Sequence, residues 1–419
     1  MSLRPIPPLL FALAPLLFVS ACSSASDGTP ADDDAAGSDT AISGDEGGAP
    51  DAFDETSNDT GRGDAAPAES GGDAGDASAE VDAPPLSPKG LHVEGNALVD
   101  GGKTVRLLGV NHSGGEYACV NDYAILEGPT GDALTKPILS WKANTVRVPV
   151  NEQCWLGING LDPKYAGDVY RKTIGDYVHT LRAAGLYVIF DMHWGAPSTF
   201  LPKGQLPMAD ADHAPEFWRS AAAYFKDDPG VLFDLFNEPF IDSGNADTTD
   251  AWACLQHGCT IKAMTVAGIS YPAYKSAGMQ ELVDAVRSTG AKNVIMVSGL
   301  AYTNDLSKWL AHAPTDPTGN LAASLHLYNF NSCKDAGCWA SDYEPVAKKV
   351  PVITGELGED DCAPSFIDGY MSWADAHGIS YLGWTWNTWD CKSGPALISD
   401  YAGTATAFGA GLRDHLRSL

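Results

Sequence analysis

Two glutamates each follow a short apolar run of strand length. Val231-Leu-Phe-Asp-Leu-Phe236 leads into Asn237-Glu238-Pro239, and Val350-Pro-Val-Ile-Thr354 leads into Gly355-Glu356. A carboxylate at the end of a buried strand is held rigidly at the mouth of a (β/α)8 barrel, where active sites are assembled from several strands. Two facing carboxylates are the minimal machinery for cleaving a glycosidic bond. Any single glutamate in so acidic a chain reads first as a surface acid. Pro239 changes that reading, because it forbids further ladder pairing and restricts the residue before it, fixing Glu238 at a strand terminus with a stiff exit.

The elements that must position these acids recur through the chain. Short apolar runs lie at Val105–Asn111, Thr145–Pro149, Tyr187–Asp191, Val231–Phe236, Val294–Ser298, Ala323–Leu327, Pro351–Thr354 and Tyr381–Trp384. Between them run amphipathic stretches such as Tyr170, Ile174, Val178 and Leu181, spaced to face one side of a helix and ended by Gly185. Eight strand–helix units predict parallel strands with helical crossovers, closed into a (β/α)8 barrel of the α/β class. A doubly wound open sheet is the rival. It would gather its ligand loops at one switch point, whereas polar and aromatic residues here follow nearly every strand.

Arg147 sits inside an otherwise apolar run, where a charge is costly unless paired, so a carboxylate partner at the barrel mouth is expected. His193 and His326 end the third and sixth runs, and each alone would read as a core histidine. Tyr328 is two residues past His326, hence on the same side of an extended segment, and can donate its hydroxyl to a carboxylate.

The ordered set Arg147, His193, Asn237-Glu238, His326, Tyr328, Glu356 and a tryptophan after the last strand resembles glycoside hydrolase family 5, the cellulase-type family of (β/α)8 barrels. The match follows strand order across the chain after Lys89. The resemblance implies a retaining double displacement with Glu238 as acid/base and Glu356 as nucleophile. It implies that Asn237 bonds the sugar 2-hydroxyl, that Arg147 and Tyr328 orient Glu356, and that His193 and His326 contact the sugar beside the scissile bond. Trp384 and Trp386 are both candidates for the ring platform there, with Trp384 favoured by its distance from the strand start. Read for chemistry alone, Glu356 beside Arg147 should keep a low pKa, and Glu238 should be raised by the neighbouring charge.

Tryptophans add a substrate class. Trp155, Trp194, Trp252, Trp339, Trp384, Trp386 and Trp389 fall at or just after strand ends, and flat aromatic rings suit the C–H faces of sugars. About half are expected to pack loops instead. Trp194, Trp389 and His112 are counted as further platforms. A polysaccharide or oligosaccharide is the expected partner, with no cofactor and no metal. A metal-dependent barrel hydrolase would favour a His-x-His after the first strand, where Asn111-His112-Ser113 stands. A non-catalytic surface lectin is the alternative of another class, but it has no use for a matched acid and nucleophile.

The front of the chain is of another kind. Residues 1–21 read as a secretory signal whose apolar stretch, Leu9 to Ala21, is too short to span a bilayer. Val19-Ser20-Ala21-Cys22 resembles a bacterial lipobox, which implies cleavage before Cys22 and lipid attachment there. Residues 22–88 form an acidic linker that cannot bury enough apolar surface to order itself. Ser23 to Pro88 holds 17 acids and one arginine, a net −16 of the chain's −28. That balance excludes the basic stripe of a nucleic-acid binder. The catalytic domain is expected over 89–419, as a monomer, lipid-anchored to the bacterial envelope or secreted.

The remaining eight cysteines suit an exported chain. Sequential pairing is expected, Cys119–Cys154, Cys254–Cys259, Cys333–Cys338 and Cys362–Cys391, bracing the catalytic face. An endo-β-1,4-glucanase is the expected activity, since that is the commonest in the family. A β-mannanase or an exo-acting β-glycosidase is the alternative. The inserts from Cys119 to Lys136 and from Ile241 to Ile269 decide between an open groove and a closed end.

Overall fold

The computed structural model describes residues 90–266, 269–390 and 394–419. The expected signal 1–21, the lipid-bearing Cys22 and the linker 22–88 lie outside the described residues. From Leu108 onward, eight barrel strands alternate with helices. They are β1 (Leu108–Asn111), β2 (Thr145–Asn151), β3 (Tyr187–Trp194), β4 (Val231–Asp234), β5 (Ile295–Ser298), β6 (Leu321–Tyr328), β7 (Val352–Gly358) and β8 (Ser380–Gly383). Each pairs in parallel with the next. The barrel closes where Tyr381 of β8 stands opposite Leu108 of β1, which excludes the open sheet.

Strand alternation separates two apolar environments. On β2, Val146, Val148 and Val150 face the outer layer, where they meet Ile174, Val178 and Leu181 of the helix Asp168–Ala183. That helix carries its buried residues on one side and gives way to Gly185 at φ +85°, a left-handed position that glycine occupies at little cost. Inside the barrel, Ile189, Leu232, Met296, Ala322, Ile353 and Leu382 pack as one cluster with Leu91, Leu98 and Leu107. The small sheet His92–Glu94, Ala97–Asp100 and Lys103–Val105 supplies Leu98 to that cluster and so sits at the N-terminal end of the barrel.

Two residues further along β3, β4, β5 and β6, the same face turns polar. The period of two places Asp191 above Ile189, Asp234 above Leu232 and Ser324 above Ala322. The barrel is therefore apolar in its lower half and charged toward its C-terminal mouth.

Among the described residues, disulfides link Cys119 to Cys154, Cys254 to Cys259 and Cys333 to Cys338. The first ties the segment after β1 to the short helix Glu152–Leu156 after β2. In the expected fourth pair, Cys391 lies outside the described residues. Among the described residues no helix is long and apolar enough to cross a membrane.

Candidate active site

Arg147 is fully buried at the centre of the mouth, and the cost of burying its charge is offset by carboxylates on three strands. Its Nε donates to Asp234 Oδ2 at 3.0 Å, its Nη2 lies 3.0 Å from Asp191 Oδ1, and its Nη1 donates to Glu356 Oε1 at 2.8 Å. Nη1 also reaches Asn111 Oδ1 at 3.1 Å, and Nη2 donates to Asn237 Oδ1 at 2.8 Å. Every arm of the planar guanidinium is thus used, a geometry that lysine cannot reproduce. Burial pushes the Asp191 and Asp234 carboxyls up to about 7 against the pull of Arg147.

Glu356 owes its place to an irregularity in β7. Ala323, Ser324 and Leu325 of β6 pair with Val352, Ile353 and Thr354, but His326 pairs with Glu356, so Gly355 is passed over. A bulge of this kind re-aims a side chain. A Cβ at Gly355 would lie 3.1 Å from His326 Nε2, and its carbonyl accepts from Asn111 Nδ2 at 2.8 Å. The Glu356 carboxyl is then held from both sides, Oε1 by Arg147 and Oε2 by the Tyr328 hydroxyl at 2.6 Å.

Glu238 faces it from the end of β4. Its Oε1 shares a 2.9 Å hydrogen bond with His326 Nδ1, which is also 3.6 Å from Glu356 Oε2. One oxygen of each glutamate and one nitrogen of His326 lie within 4.8 Å of one another. Burial, then the charge of Glu356, raises Glu238 well above the ordinary carboxylate range. Glu356 was expected to stay low beside Arg147. Burial outweighs the guanidinium and raises it too, but Arg147 and the Tyr328 hydroxyl oppose that rise and Glu238 remains the more strongly shifted. His326 and His193 are kept neutral by burial, His193 pushed down to about 3.

The other residues expected at the site divide into two groups. His193 shares a 2.6 Å hydrogen bond with Asp191 through Nδ1, and its ring stacks on Trp384 at 5.5 Å with the planes 10° apart. Asn237 donates through Nδ2 to Gln205 Oε1 at 3.0 Å, while Gln205 donates to the Glu238 carbonyl at 2.6 Å. Trp384 is partly exposed, and Trp386, two residues on, is fully buried edge-on to Trp141 at 4.7 Å. Trp386 therefore presents no face to a ligand.

His112 is likewise no platform, since it is fully buried with Nδ1 2.6 Å from the Tyr177 hydroxyl. Trp155 packs under the helices against Phe190, Trp339 against Tyr370 and Trp373, and Trp252 against His312. Trp194 is buried, whereas Trp389 is partly exposed with its ring 6.0 Å from that of Tyr117.

Asn111, Asp191, Asp234 and Gln205 belong to this network and were not singled out from sequence. The acids carried a usable signal: each is a charge inside an apolar run, the argument that picked out Arg147. As for metals, Glu238, His326 and Glu356 have the spacing of a three-ligand set, as do Glu152, Asp210 and His213. Donors already occupy both oxygens of Glu356, which disfavours a cation between the two glutamates, and at the second place the Ala196 N–H donates to Glu152 Oε2 and Asp210 Oδ2.

Residues 99–390 match the family described as cellulase (glycosyl hydrolase family 5). The chain is 24% identical over 314 residues to a mannan endo-1,4-β-mannosidase of Streptomyces lividans, covering 71% of this chain and 66% of that protein. It is 21% identical over 348 residues to an endoglucanase of a Microbulbifer species, covering 78% and 58%. The chain thus spans less than two thirds of these relatives' lengths. A β-glucanase of Saccharophagus degradans, solved in its native form and with cellotetraose, superposes with TM-score 0.59 at 22% identity, covering 78% of this chain and 93% of that one. The endoglucanase catalytic domain of Thermobifida fusca gives 0.52 at 17%, covering 78% and 97%. With seven tenths of its length inside the family match and a closed eight-stranded barrel to carry it, this chain belongs to glycosyl hydrolase family 5.

Proposed function

We propose that this protein is a retaining glycoside hydrolase acting on β-linked polysaccharide or oligosaccharide, with Glu356 as nucleophile and Glu238 as acid/base. The observation that carries the reading is the approach of the two carboxyl groups to within 4.8 Å in unlike surroundings. Retaining enzymes separate their carboxyls by about 5–5.5 Å, whereas inverting enzymes leave room for a water. Glu356 has both oxygens bound by donors that favour its anion. Glu238 has burial and a negative neighbour that favour its proton.

In the first step a Glu356 oxygen bonds to the anomeric carbon as the glycosidic C–O bond breaks, and Glu238 gives its proton to the departing oxygen. In the second step water attacks the glycosyl ester, Glu238 takes the water's proton, and Glu356 leaves as carboxylate. Two inversions at one carbon retain its configuration. Neutral His193 and His326 can hydrogen-bond sugar hydroxyls without adding charge, and the free amide hydrogen of Asn237 faces the 2-hydroxyl in this reading.

For the substrate, an endo-β-1,4-glucanase is favoured by the endoglucanase relative and by the cellotetraose complex of the Saccharophagus neighbour. A β-mannanase is the second reading, favoured by the Streptomyces relative. Export is supported by the disulfides, which persist in oxidising compartments. Lipid attachment at Cys22, with the acidic linker as tether, completes the proposal.

The test is product analysis of the chain on β-glucans, β-mannans, xylans and aryl β-glycosides, beside Glu238→Ala and Glu356→Ala. Cleavage of one polymer class that the Glu356 variant abolishes supports the reading and names the substrate. Glycan binding without turnover by the intact protein would replace it with a surface carbohydrate-binding role.

A further inference from the structure

We propose that Gln205 is a positioning residue for the first chemical step, fixing which hydrogen of the Asn237 amide meets the sugar 2-hydroxyl. The inference rests on the glycosidase reading above.

Gln205 lies in the segment between β3 and the helix Ala214–Phe225. The backbone on either side of it is pinned by three other parts of the chain. Gln153 Nε2 donates to the Pro202 carbonyl at 2.8 Å, Phe240 N to the Pro207 carbonyl at 3.0 Å, and the Tyr274 hydroxyl to the Met208 carbonyl at 2.7 Å. The neighbouring Leu206 is buried. The segment is therefore ordered by folding and not by the ligand.

The Gln205 amide is wedged between two parts of one dipeptide. Its Oε1 accepts from Asn237 Nδ2 at 3.0 Å, and its Nε2 donates to the Glu238 carbonyl at 2.6 Å. Turning the amide over would set donor against donor and acceptor against acceptor, so one orientation alone satisfies both contacts. Strand β4 ends at Asp234, which leaves the Glu238 carbonyl beyond the ladder, and Gln205 supplies its donor.

The same reasoning fixes Asn237. Its Oδ1 accepts from Arg147 Nη2 at 2.8 Å, and a reversed amide would point its own hydrogens at the guanidinium. Arg147 alone would leave both Nδ2 hydrogens open to a ligand. Gln205 takes one, and the other is left for the 2-hydroxyl in a direction set by the amide plane. The backbone is held as well, with Asn237 N bonded to the Met192 carbonyl at 3.1 Å and the Asn237 carbonyl accepting from Thr303 Oγ1 at 2.9 Å.

This placement bears on rate more than on binding. Hydrogen bonds to the 2-hydroxyl of a glycoside strengthen in the transition state. A donor already aimed before the reaction needs no reorganisation as charge develops. Gln205 also holds the main chain of Glu238, so the 2-hydroxyl donor and the proton donor are set by one side chain.

The test uses 4-nitrophenyl β-cellobioside and its analogue lacking the 2-hydroxyl on the sugar joined to nitrophenol. The readout is the ratio of kcat/KM on the parent to kcat/KM on the 2-deoxy analogue, for the full chain and its variants. Gln205→Ala should lower this ratio roughly three- to tenfold, through kcat more than KM. Gln205→Leu, which keeps the volume without either hydrogen bond, should lower it similarly and stands in if the alanine variant fails to fold. Asn237→Ala should lower the ratio at least as far, and adding Gln205→Ala to it should change the ratio no further. If mannan proves to be the substrate, the 4-nitrophenyl β-mannobioside and its 2-deoxy analogue take these places. A wild-type ratio in the Gln205 variants, whatever the loss of rate, would reduce the residue to packing and overturn the proposal while leaving the hydrolase reading intact. A further fall in the double variant would overturn it too, because the effect would not run through Asn237. No turnover of any parent glycoside by the wild type would overturn both readings.

Discussion

Glu356 stands level with His326 across the β6–β7 ladder only because Gly355 is passed over in the pairing. Without that displacement the lateral neighbour of His326 would be a residue without a side chain, and the carboxyl would lie one step further on. The space above Gly355 is filled by His326 Nε2 at 3.1 Å and Arg147 Nε at 3.5 Å from where a Cβ would sit. Gly355→Ala must therefore move the histidine, the arginine or the strand. The expected result is a kcat loss on the order of tenfold to a hundredfold, because sub-ångström misplacement of reacting groups is costly. Steady-state kinetics with circular dichroism as a folding control measures it.

Arg147 is predicted to be structural as well as electrostatic. Arg147→Met leaves Asp191, Asp234 and Glu356 buried without their cation, at a cost of about 3–5 kcal/mol of stability. Urea unfolding should show it as a lower midpoint. Arg147→Lys keeps the charge but cannot span Asn111, Asn237 and three carboxylates, so activity should fall steeply with a smaller loss of stability.

The pH profile follows from the two glutamates. The proposed mechanism uses Glu356 ionised and Glu238 protonated. It should fall on the acid side as Glu356 takes up a proton and on the alkaline side as Glu238 loses one. Both limbs are shifted upward from ordinary carboxylate values, Glu238 further than Glu356. The two apparent constants belong to the pair. Glu238→Gln should remove the alkaline limb when the substrate is a dinitrophenyl glycoside, whose leaving group needs no proton. Measuring kcat/KM against pH for both proteins checks this.

How far the sequence could be read differs between fold and site. All eight strands and their closure follow from the spacing of apolar runs, because a half-buried strand advertises itself locally. The two glutamates, Arg147, His326 and Tyr328 were legible since each breaks a local pattern at a strand end. What was not legible depends on direction and on partners far apart in the chain. Trp155 and Trp386 follow strands, yet one turns under the helices and the other onto Trp141. The balance of Glu356 also escaped, because burial is a property of the assembled barrel.

Glu152 offers a prediction outside the site. It is fully buried, Oε2 accepts from Ala196 N at 2.5 Å, and among the described residues Oε1 accepts no hydrogen bond. Burial, then Asp210, raises its carboxyl well above the ordinary range. The unfolded chain loses this proton near pH ~4.3, whereas the folded chain keeps it. The stabilisation is thus fully present below that pH and is lost as pH rises toward the folded value. Glu152→Gln, which cannot ionise and can donate to Asp210, should raise Tm at pH 7 and change it little at pH 4. Thermal melts at the two pH values give the comparison; a lower Tm at pH 7 would show that the carboxyl is needed there as an anion.

In the proposed mechanism Glu356 forms the bond to the anomeric carbon. Glu356→Ala with a dinitrophenyl β-glycoside in the presence of azide tests this, with the product's anomeric configuration read by proton NMR. The variant should be inactive alone and rescued by azide, giving the α-glycosyl azide, since one displacement inverts the centre. A β-configured product alone, or unchanged hydrolysis without azide, would contradict the nucleophile assignment.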